Sequence, residues 1–236
     1  DDEDATTIFV PEADRITYVD DPEIRKLLER TDVEDRKSSI PKNFTWAMKY
    51  FKNQSKNKII TIVDLGCGHG DILRDVAKFG RENNYSFSLL GIDANIAAIA
   101  YAKELSKEYS ELSFKAIDIF SDDFKKISYD IVLCTLFLHH FKNNELISFL
   151  KTTIEKATIG VVVNDLHRHK LPYYLFKLIG FFIKNKMVRQ DGVTCILRSF
   201  KRKDLENIAK EIKVHFSIQW KWAFRYLWVL KKDFIN

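Results

Sequence analysis

The feature that most constrains this chain is a glycine-rich turn between a predicted strand and a predicted helix. Residues 59–63 form an apolar, largely β-branched run, which is typical of a strand buried on both faces. The run stops at Asp64, and Gly66, Gly68 and Gly70 follow it. Glycines at such positions let the backbone turn sharply and approach a ligand closely. The start of the helix behind them supplies free N–H groups.

The spacing of these glycines differs from the G-x-G-x-x-G pattern of dinucleotide-binding turns. The third glycine comes one residue early, and Asp71 stands in its usual place. An acid as close to the turn as Asp64 would repel a pyrophosphate, but it suits a ligand that carries an ammonium group. The pattern therefore disfavours an NAD-dependent dehydrogenase.

Strands and helices are predicted to alternate after this turn. The predicted strands are 87–92, 112–117, 129–136 and 159–164, and the predicted helices are 70–83, 95–109 and 143–156. Such alternation indicates an α/β fold with a mostly parallel sheet and right-handed crossovers. No repeat or linker divides the 236 residues, a length that suits one domain of this kind.

Within that domain, the pattern predicts four regions. Residues 1–55 form an N-terminal helical cap, with a loose acidic arm at 1–21 and helices at 22–30 and 41–52. Residues 56–166 form the core, residues 167–190 an insertion, and residues 191–236 a C-terminal helix and β-hairpin. Large apolar side chains at every even position from 216 to 228, all aromatic except Ile218, predict the hairpin, with a turn near 221–224 and the aromatics in the core.

Two further acids are predicted at the carboxyl ends of strands, where open α/β sheets bind their ligands. Asp93 ends the second strand and is placed to accept both hydrogen bonds of a ribose diol. Its alternative role is to cap the helix that starts near Asn95. Asp118 follows the third strand and is placed to accept from an adenine amino group, while Ile119 packs on the ring; the alternative is an ordinary loop acid.

These motifs together resemble the class I S-adenosylmethionine-dependent methyltransferases. The stretch 64–70 is similar to their first motif, Asp93 and Asp118 match their ribose and adenine acids, and 129–141, with its Leu-His-His, resembles the fourth strand of a small-molecule, type 11/12-like branch. The resemblance implies a Rossmann-like, seven-stranded, mostly parallel sheet with helices on both faces and an antiparallel C-terminal strand. It also implies S-adenosylmethionine as cofactor and S-adenosylhomocysteine as product. The implied cofactor-binding residues are Asp64, Gly66, Cys67, Gly68, Gly70, Asp93, Ala94, Asp118, Ile119 and Thr135.

Histidines follow the fourth and fifth strands at the same edge of the sheet. His139 and His140 follow the fourth strand, and His167 follows the fifth, close to Asp165. A histidine beside a carboxylate is a plausible general base because its pKa lies near neutral pH. The alternatives are structural histidines and a solvated basic loop. A metal site built from these histidines and His169 is disfavoured, since no carboxylate stands at ligand spacing.

The apolar segment 171–183 allows three interpretations. It is a helix packed on the core or over the sheet edge, a lid over an apolar substrate, or a helix lying on a membrane surface with its lysines toward headgroups. As a lid, residues 167–190 would close over the acceptor together with the first 55 residues, using Phe44, Trp46 and Tyr50.

The acceptor is predicted to be an apolar or aromatic small molecule, methylated at a hydroxyl oxygen or at an activated ring carbon. The N/D-P-P-Y/F/W tetrapeptide that follows the fourth strand in methyltransferases acting on base amines is absent, since Thr135-Leu136-Phe137-Leu138 stands there. The alternatives are an RNA or protein methyltransferase, for which Arg198 and 201–203 offer a basic patch, and a catalytically silent binding subunit.

Composition adds little about partners. The net charge is +5, from 38 basic and 33 acidic residues, which is mild for a nucleic-acid binder. No apolar run reaches the length of about 18 residues that a membrane span needs. Three cysteines form no even disulfide set and no metal pattern, which favours a reducing, cytoplasmic setting. The sequence predicts no oligomeric state.

Overall fold

The computed structural model describes residues 58–180 and 186–231. The predicted acidic arm and the predicted helices at 22–30 and 41–52 lie outside the described residues. The strands are β1 (Ile60–Leu65), β2 (Phe87–Asp93), β3 (Leu112–Ala116), β4 (Ile131–Thr135), β5 (Gly160–Leu166), β6 (His215–Lys221) and β7 (Arg225–Lys231). The helices are α1 (Asp71–Asn83), α2 (Ile96–Leu105), α3 (Asp122–Lys125), α4 (Asn143–Lys156), α5 (Lys170–Gly180), α6 (Lys186–Arg198) and α7 (Arg202–Glu211), and a 3₁₀ turn spans Leu138–His140.

The strands form one seven-stranded sheet in the order β3-β2-β1-β4-β5-β7-β6. The first five strands pair in parallel, while β7 is antiparallel to both β5 and β6. Successive strands are added on one side of β1 up to β3 and on its other side from β4 onward, so the strand order reverses between β1 and β4. Ligands of open α/β sheets bind in the crevice outside such a switch point. The predicted fold class is therefore confirmed, and this rule places the ligand crevice at the carboxyl ends of β1 and β4.

Apolar layers cover both faces of the sheet. On one face, Leu73 of α1 and Ile99 of α2 pack with Ile62 of β1. On the other face, Leu150 of α4 and Leu205 of α7 belong to the second buried cluster. Strands that are buried on both faces read as continuous apolar runs, which is why β1 and β5 could be recognised in the sequence.

A pair of helices follows β5, and the sequence pattern predicted only the first of them. Helix α6 spans residue 190, so the predicted boundary of the insertion falls inside a helix. The helices pack closely at Gly192, where a Cβ atom would lie 2.1 Å from Cζ of Phe176. Five large apolar side chains of α5 are 42–67% exposed, so this helix is not enclosed in the core. Its packing over the sheet edge and its role as a lid stay predictions.

The C-terminal hairpin is present as predicted, but its aromatic side chains are divided between core and surface. Tyr226 and Trp228 on β7 are buried. Trp220 and Trp222, next to the turn, are 52% and 80% exposed, so the prediction that the aromatics fill the core is wrong at the hairpin tip. Strict alternation in sequence predicts a strand but does not reveal which of its side chains another layer will cover.

Within the described residues, no helix combines the length and the apolar character that crossing a bilayer requires.

Candidate active site

Asp64 is a buried carboxylate without a hydrogen-bond partner in residues 58–180 and 186–231. It stands near the end of β1, is 1% exposed, and neither of its oxygens accepts a hydrogen bond. Burial raises the pKa of Asp64 well above its usual value, and the nearby charges of Asp71 and Asp93 raise it further. Buried polar groups in folded proteins almost always have partners. An unpartnered acid at the switch point therefore indicates a place for a cationic group of a ligand.

The glycine turn presents its backbone to open space beside this acid. Gly68 has φ +50°, and no atom lies within 4 Å of the position that a Cβ would take. Gly66 has φ +69°, and its Cβ would lie 2.4 Å from Cδ2 of Phe137, in the loop after β4. Both positions thus favour glycine, the first for its left-handed backbone and the second also for close packing. The intervening Cys67 is buried, which raises the pKa of its thiol and keeps it protonated near neutral pH.

Asp93 is hydrogen-bonded to the glycine turn. Its Oδ2 accepts from the backbone N–H of Gly68 at 3.0 Å, and its Oδ1 accepts from that of Asn95 at 2.9 Å. The cap of α2 is Asn95 itself, whose side chain accepts from two backbone N–H groups of the first turn. The alternative role of Asp93 as that cap is therefore wrong, and the acid lies between β2 and the turn that the sequence assigned to the cofactor.

The other predicted cofactor residues lie around the same edge. Ala94 is exposed after β2, and Thr135 is half-buried at the end of β4. Asp118 is exposed, and its Oδ1 accepts from the backbone N–H of Phe120 at 2.9 Å. Ile119 is buried and borders a cavity of about 470 Å³ between the loop after β3 and α4. Their contacts with a cofactor stay predictions.

Two residues at this edge were not singled out in the sequence. Leu136, directly after β4, has φ +51°, a strained conformation for a leucine. Its N–H donates to the carbonyl oxygen of Asn164 at 2.9 Å. Asn164 is buried on β5 and its side-chain oxygen has no partner among the described residues. No sequence signal marks a left-handed leucine, whereas Asn164 opens the polar segment that follows the fifth strand and was detectable there.

Asp165 is paired with His139 and not with His167. His139 Nδ1 and Asp165 Oδ1 lie 2.7 Å apart, and both side chains are buried. Asp165 Oδ2 accepts from the backbone N–H of Leu138 at 2.9 Å. The expectation that Asp165 serves as the carboxylate partner of His167 is therefore wrong, because the 3₁₀ turn after β4 presents its own histidine and N–H groups to that carboxylate.

The environment of His139 favours its charged form. Burial is the largest influence and opposes the charge, but hydrogen bonds with Asp165 and Cys195 outweigh it and raise the pKa of His139 to about 9. A histidine that is already protonated at neutral pH cannot accept a proton there. His139 is thus suited to hold a charge beside the crevice and not to act as the base.

His140 and Cys195 lie beside His139. The rings of His139 and His140 are 4.2 Å apart between centroids, and His140 is exposed. Possible ligand atoms of these two histidines and of Cys195 lie within 4.8 Å of one another, which is compatible with a metal ion. His167 and His169 do not belong to this group. Cys195 stands on α6, so the cluster joins this helix to the turn after β4.

His167 stands on the other side of β5 from this pair, next to the hairpin. Its backbone N–H donates to the carbonyl oxygen of Phe224 at 2.8 Å, and its ring lies 4.7 Å from that of Tyr226. Its Nδ1 is buried and has no partner among the described residues. Burial lowers the pKa of His167, and the neighbouring His169 lowers it further. His167 is therefore neutral at physiological pH and able to accept a proton.

Comparison with known proteins agrees with this geometry. Residues 56–211 match the family described as "Methyltransferase domain". Among solved structures, the plantazolicin methyltransferase BpumL in complex with S-adenosylhomocysteine superposes with a TM-score of 0.65 at 18% identity, over 92% of this chain and 93% of that one. The magnesium protoporphyrin IX methyltransferase ChlM from Synechocystis PCC 6803, with bound S-adenosylmethionine, gives 0.57 at 13% identity, over 96% and 100% of the two chains.

A third structure is part of a larger chain. The CMeT domain of the citrinin polyketide synthase superposes with a TM-score of 0.68 at 14% identity over 90% of this chain, which spans 57% of that one. Likeness at these identities shows the fold, while the family match covers most of the present chain. The chain thus belongs to the methyltransferase-domain family, as a class I S-adenosylmethionine-dependent methyltransferase.

Proposed function

We propose that this enzyme transfers a methyl group from S-adenosylmethionine to an apolar or aromatic small molecule, at a hydroxyl oxygen or an activated ring carbon. The observation that supports the proposal is that two buried polar groups at the carboxyl ends of parallel strands have no partner among the described residues. The carboxylate of Asp64 has no hydrogen-bond donor there, and Nδ1 of the neutral His167 ring has none either. The first fits a cofactor with an ammonium group, and the second fits an acceptor that must lose a proton.

The residues around the switch point fit the family's cofactor. Asp64 would hold the ammonium group, the backbone at Gly68 the methionine portion, and Asp93 the ribose diol. Asp118 and Ile119 would contact the adenine. When bound, S-adenosylmethionine supplies an electrophilic methyl group on its sulfonium sulfur. The protein then has to align the acceptor, exclude water and remove a proton where the chemistry requires it.

The three histidines divide these tasks by their charge. His167 is the proposed base, because burial keeps it neutral. His139, held by Asp165, is the proposed electrostatic group for the negative charge that develops on a deprotonated hydroxyl or enol. His140 is exposed beside it and is proposed to contact the acceptor. Asp165 acts through His139 and is a positioning residue.

The acceptor class is supported by the names of the solved structures that share this fold. The structures with this fold include enzymes named for plantazolicin and magnesium protoporphyrin IX, and a domain of a polyketide synthase. The test is transfer of a labelled methyl group to a panel of phenols, enolic diketones, RNA and protein. We expect label on the hydroxyl oxygen or ring carbon of apolar compounds. Label found only on RNA or protein would replace this proposal with its alternative.

Helices α5 and α6 are proposed to cover the acceptor. They leave the carboxyl end of β5, and Cys195 of α6 contacts the His139 side chain. A cover of this kind excludes water from the reacting groups. The predicted contribution of Phe44, Trp46 and Tyr50 concerns residues outside the described part of the chain.

Hydrogen exchange distinguishes a cover from a fixed part of the scaffold. We expect amides of α5 and α6 to exchange rapidly in the free enzyme and to become protected when S-adenosylhomocysteine and an acceptor are added together. Amides of β5, which are bonded on both sides within the sheet, serve as the internal control and should stay protected throughout. Full protection of α5 and α6 in the free enzyme would contradict a cover that closes on its substrate.

A further inference from the structure

Helix α5 carries an apolar stripe that no other part of the described chain buries. Leu171, Tyr174, Leu175 and Leu178 are all exposed, and their spacing of three, four and seven residues places them on one face of the helix. Phe176, on a different face, packs against Gly192 of α6. The helix is thus attached by one face and presents large aliphatic side chains on the other. A contiguous patch of this kind usually marks an interaction surface.

The hairpin tip lies beside the start of α5. Phe224, in the turn, accepts the backbone hydrogen bond of His167, and its ring stacks on that of His169 at 6.0 Å between centroids. His169 immediately precedes α5. The exposed Trp220 and Trp222 therefore stand at the same edge of the sheet as the start of the helix.

The segment around this edge is strongly basic. Residues 166–203 contain ten lysines and arginines and one acid, Asp191, a net charge of +9 in a chain whose total is +5. The remainder of the chain is therefore net acidic. Lys170 and Lys177 of α5 are both exposed, alongside the apolar stripe. These two lysines place positive charge on the same helix as the exposed leucines.

We propose that the outer face of α5 and the hairpin tip dock together on an anionic lipid surface. Tryptophan and tyrosine suit the headgroup level of a bilayer, leucines bury in the acyl boundary, and lysines bind anionic headgroups. A basic patch alone would also suit RNA, but RNA offers no apolar surface to cover the aliphatic stripe. The docking does not depend on the acceptor. If the proposed function is correct, docking also brings the crevice close to acceptors dissolved in the bilayer.

The test is flotation of the full-length enzyme with vesicles of phosphatidylcholine alone or mixed with phosphatidylglycerol. We expect binding to the mixed vesicles, with little binding to the neutral ones and weakening by salt. Trp222→Ser and Leu178→Ser should each weaken binding about tenfold, since each removes one large side chain from the apolar contact. Reversing Lys177 to Glu should weaken binding to the mixed vesicles by a similar factor.

Matched controls distinguish docking through this surface from non-specific adsorption of the protein to vesicles. Ile59 is 63% exposed and precedes β1, at the opposite edge of the sheet, so Ile59→Ser should leave vesicle binding unchanged. Equal losses in this control, no flotation of the parent, or full binding by the Trp222 and Leu178 variants would each overturn the proposal. So would a vesicle-free dimer that both variants dissociate, since the patch would then be covered by a second copy. Vesicle binding is measured without methyl transfer. Failure of the docking proposal can therefore be distinguished from failure of the proposed function.

Discussion

Replacing His167 with glutamine is expected to lower kcat about 100- to 10,000-fold, the usual effect of removing a general base. The affinity for S-adenosylmethionine should stay the same, because His167 follows β5 and does not belong to the glycine turn. Steady-state methyl transfer to an accepted phenol measures the first quantity, and calorimetry measures the second.

The pH profile gives a second readout of the same residue. Burial lowers the pKa of His167, so the neutral form is already present below the ordinary histidine pKa. The rate of the parent should rise with pH through this lowered pKa and then level off. The glutamine variant should lack this rise, because glutamine has no titrating group. A profile that is the same in both proteins would show that another group controls the rate.

Two histidines make suitable controls. His215 is exposed at the start of β6, away from the carboxyl ends of the parallel strands, so His215→Gln should retain the parental rate. His139→Gln should reduce the rate without removing the rise with pH, because His139 is charged in this range and does not act as the base. If the His167 variant also stays near the parental rate, the acceptor's own acidity suffices and the protein contributes alignment alone.

The contrast between His139 and His167 shows how far the sequence could define this site. Both histidines were recognisable because they follow strands whose ends meet at one edge of a parallel sheet. Their partners were not recognisable, since Asp165 is two residues from His167 along the chain and yet bonded to His139, 26 residues away. Neighbourhood in sequence is a weak guide where a turn from another strand supplies the nearer donor.

The cofactor edge was more predictable than the acceptor side for a physical reason. The turn has a fixed backbone geometry that requires positive φ at its glycines, and an acid stands beside them. The residue types in the sequence therefore indicate this turn directly. The sequence did not predict helix α6 because its apolar residues show little helical periodicity. The helix packs through small residues such as Gly192, which contacts Phe176. The left-handed backbone of Leu136 is set by tertiary contacts and has no signature of its own.

Asp64→Asn is expected to weaken S-adenosylmethionine binding about 10- to 100-fold and, at the same time, to stabilise the cofactor-free enzyme. The loss of affinity follows from replacing a charge-assisted contact with a neutral one. The gain in stability follows from the lack of a partner for this carboxylate among the described residues. The asparagine amide is still a polar group without a partner, so the gain is the extra cost of burying a charge rather than a neutral group, on the order of 1 kcal/mol or more.

The sign of the pH dependence follows from the direction of the shift. In the unfolded chain Asp64 ionises near its ordinary pKa of 3.8, while burial raises its pKa in the folded chain. The folded state therefore binds more protons than the unfolded state between the two values. Across this range, the stability that Asp64 contributes is lost as the pH rises. The asparagine variant lacks this loss, so its advantage over the parent should grow with pH and then remain constant.

Asp93→Asn is the matched control, because it removes a carboxylate at the same crevice that does have partners. Asp93 accepts from the N–H groups of Gly68 and Asn95, so its replacement should weaken cofactor binding and also lower the stability of the free enzyme. Urea unfolding of the cofactor-free proteins and calorimetric titration would measure both quantities. If Asp64→Asn is less stable than the parent at every pH, the carboxylate is satisfied in the free enzyme. If its affinity is unchanged, Asp64 does not contact the cofactor. Asp64→Asn is expected to raise the stability of the free enzyme, and Asp93→Asn to lower it. This difference distinguishes an acid that is kept unpaired for a ligand from one that also holds the turn in place.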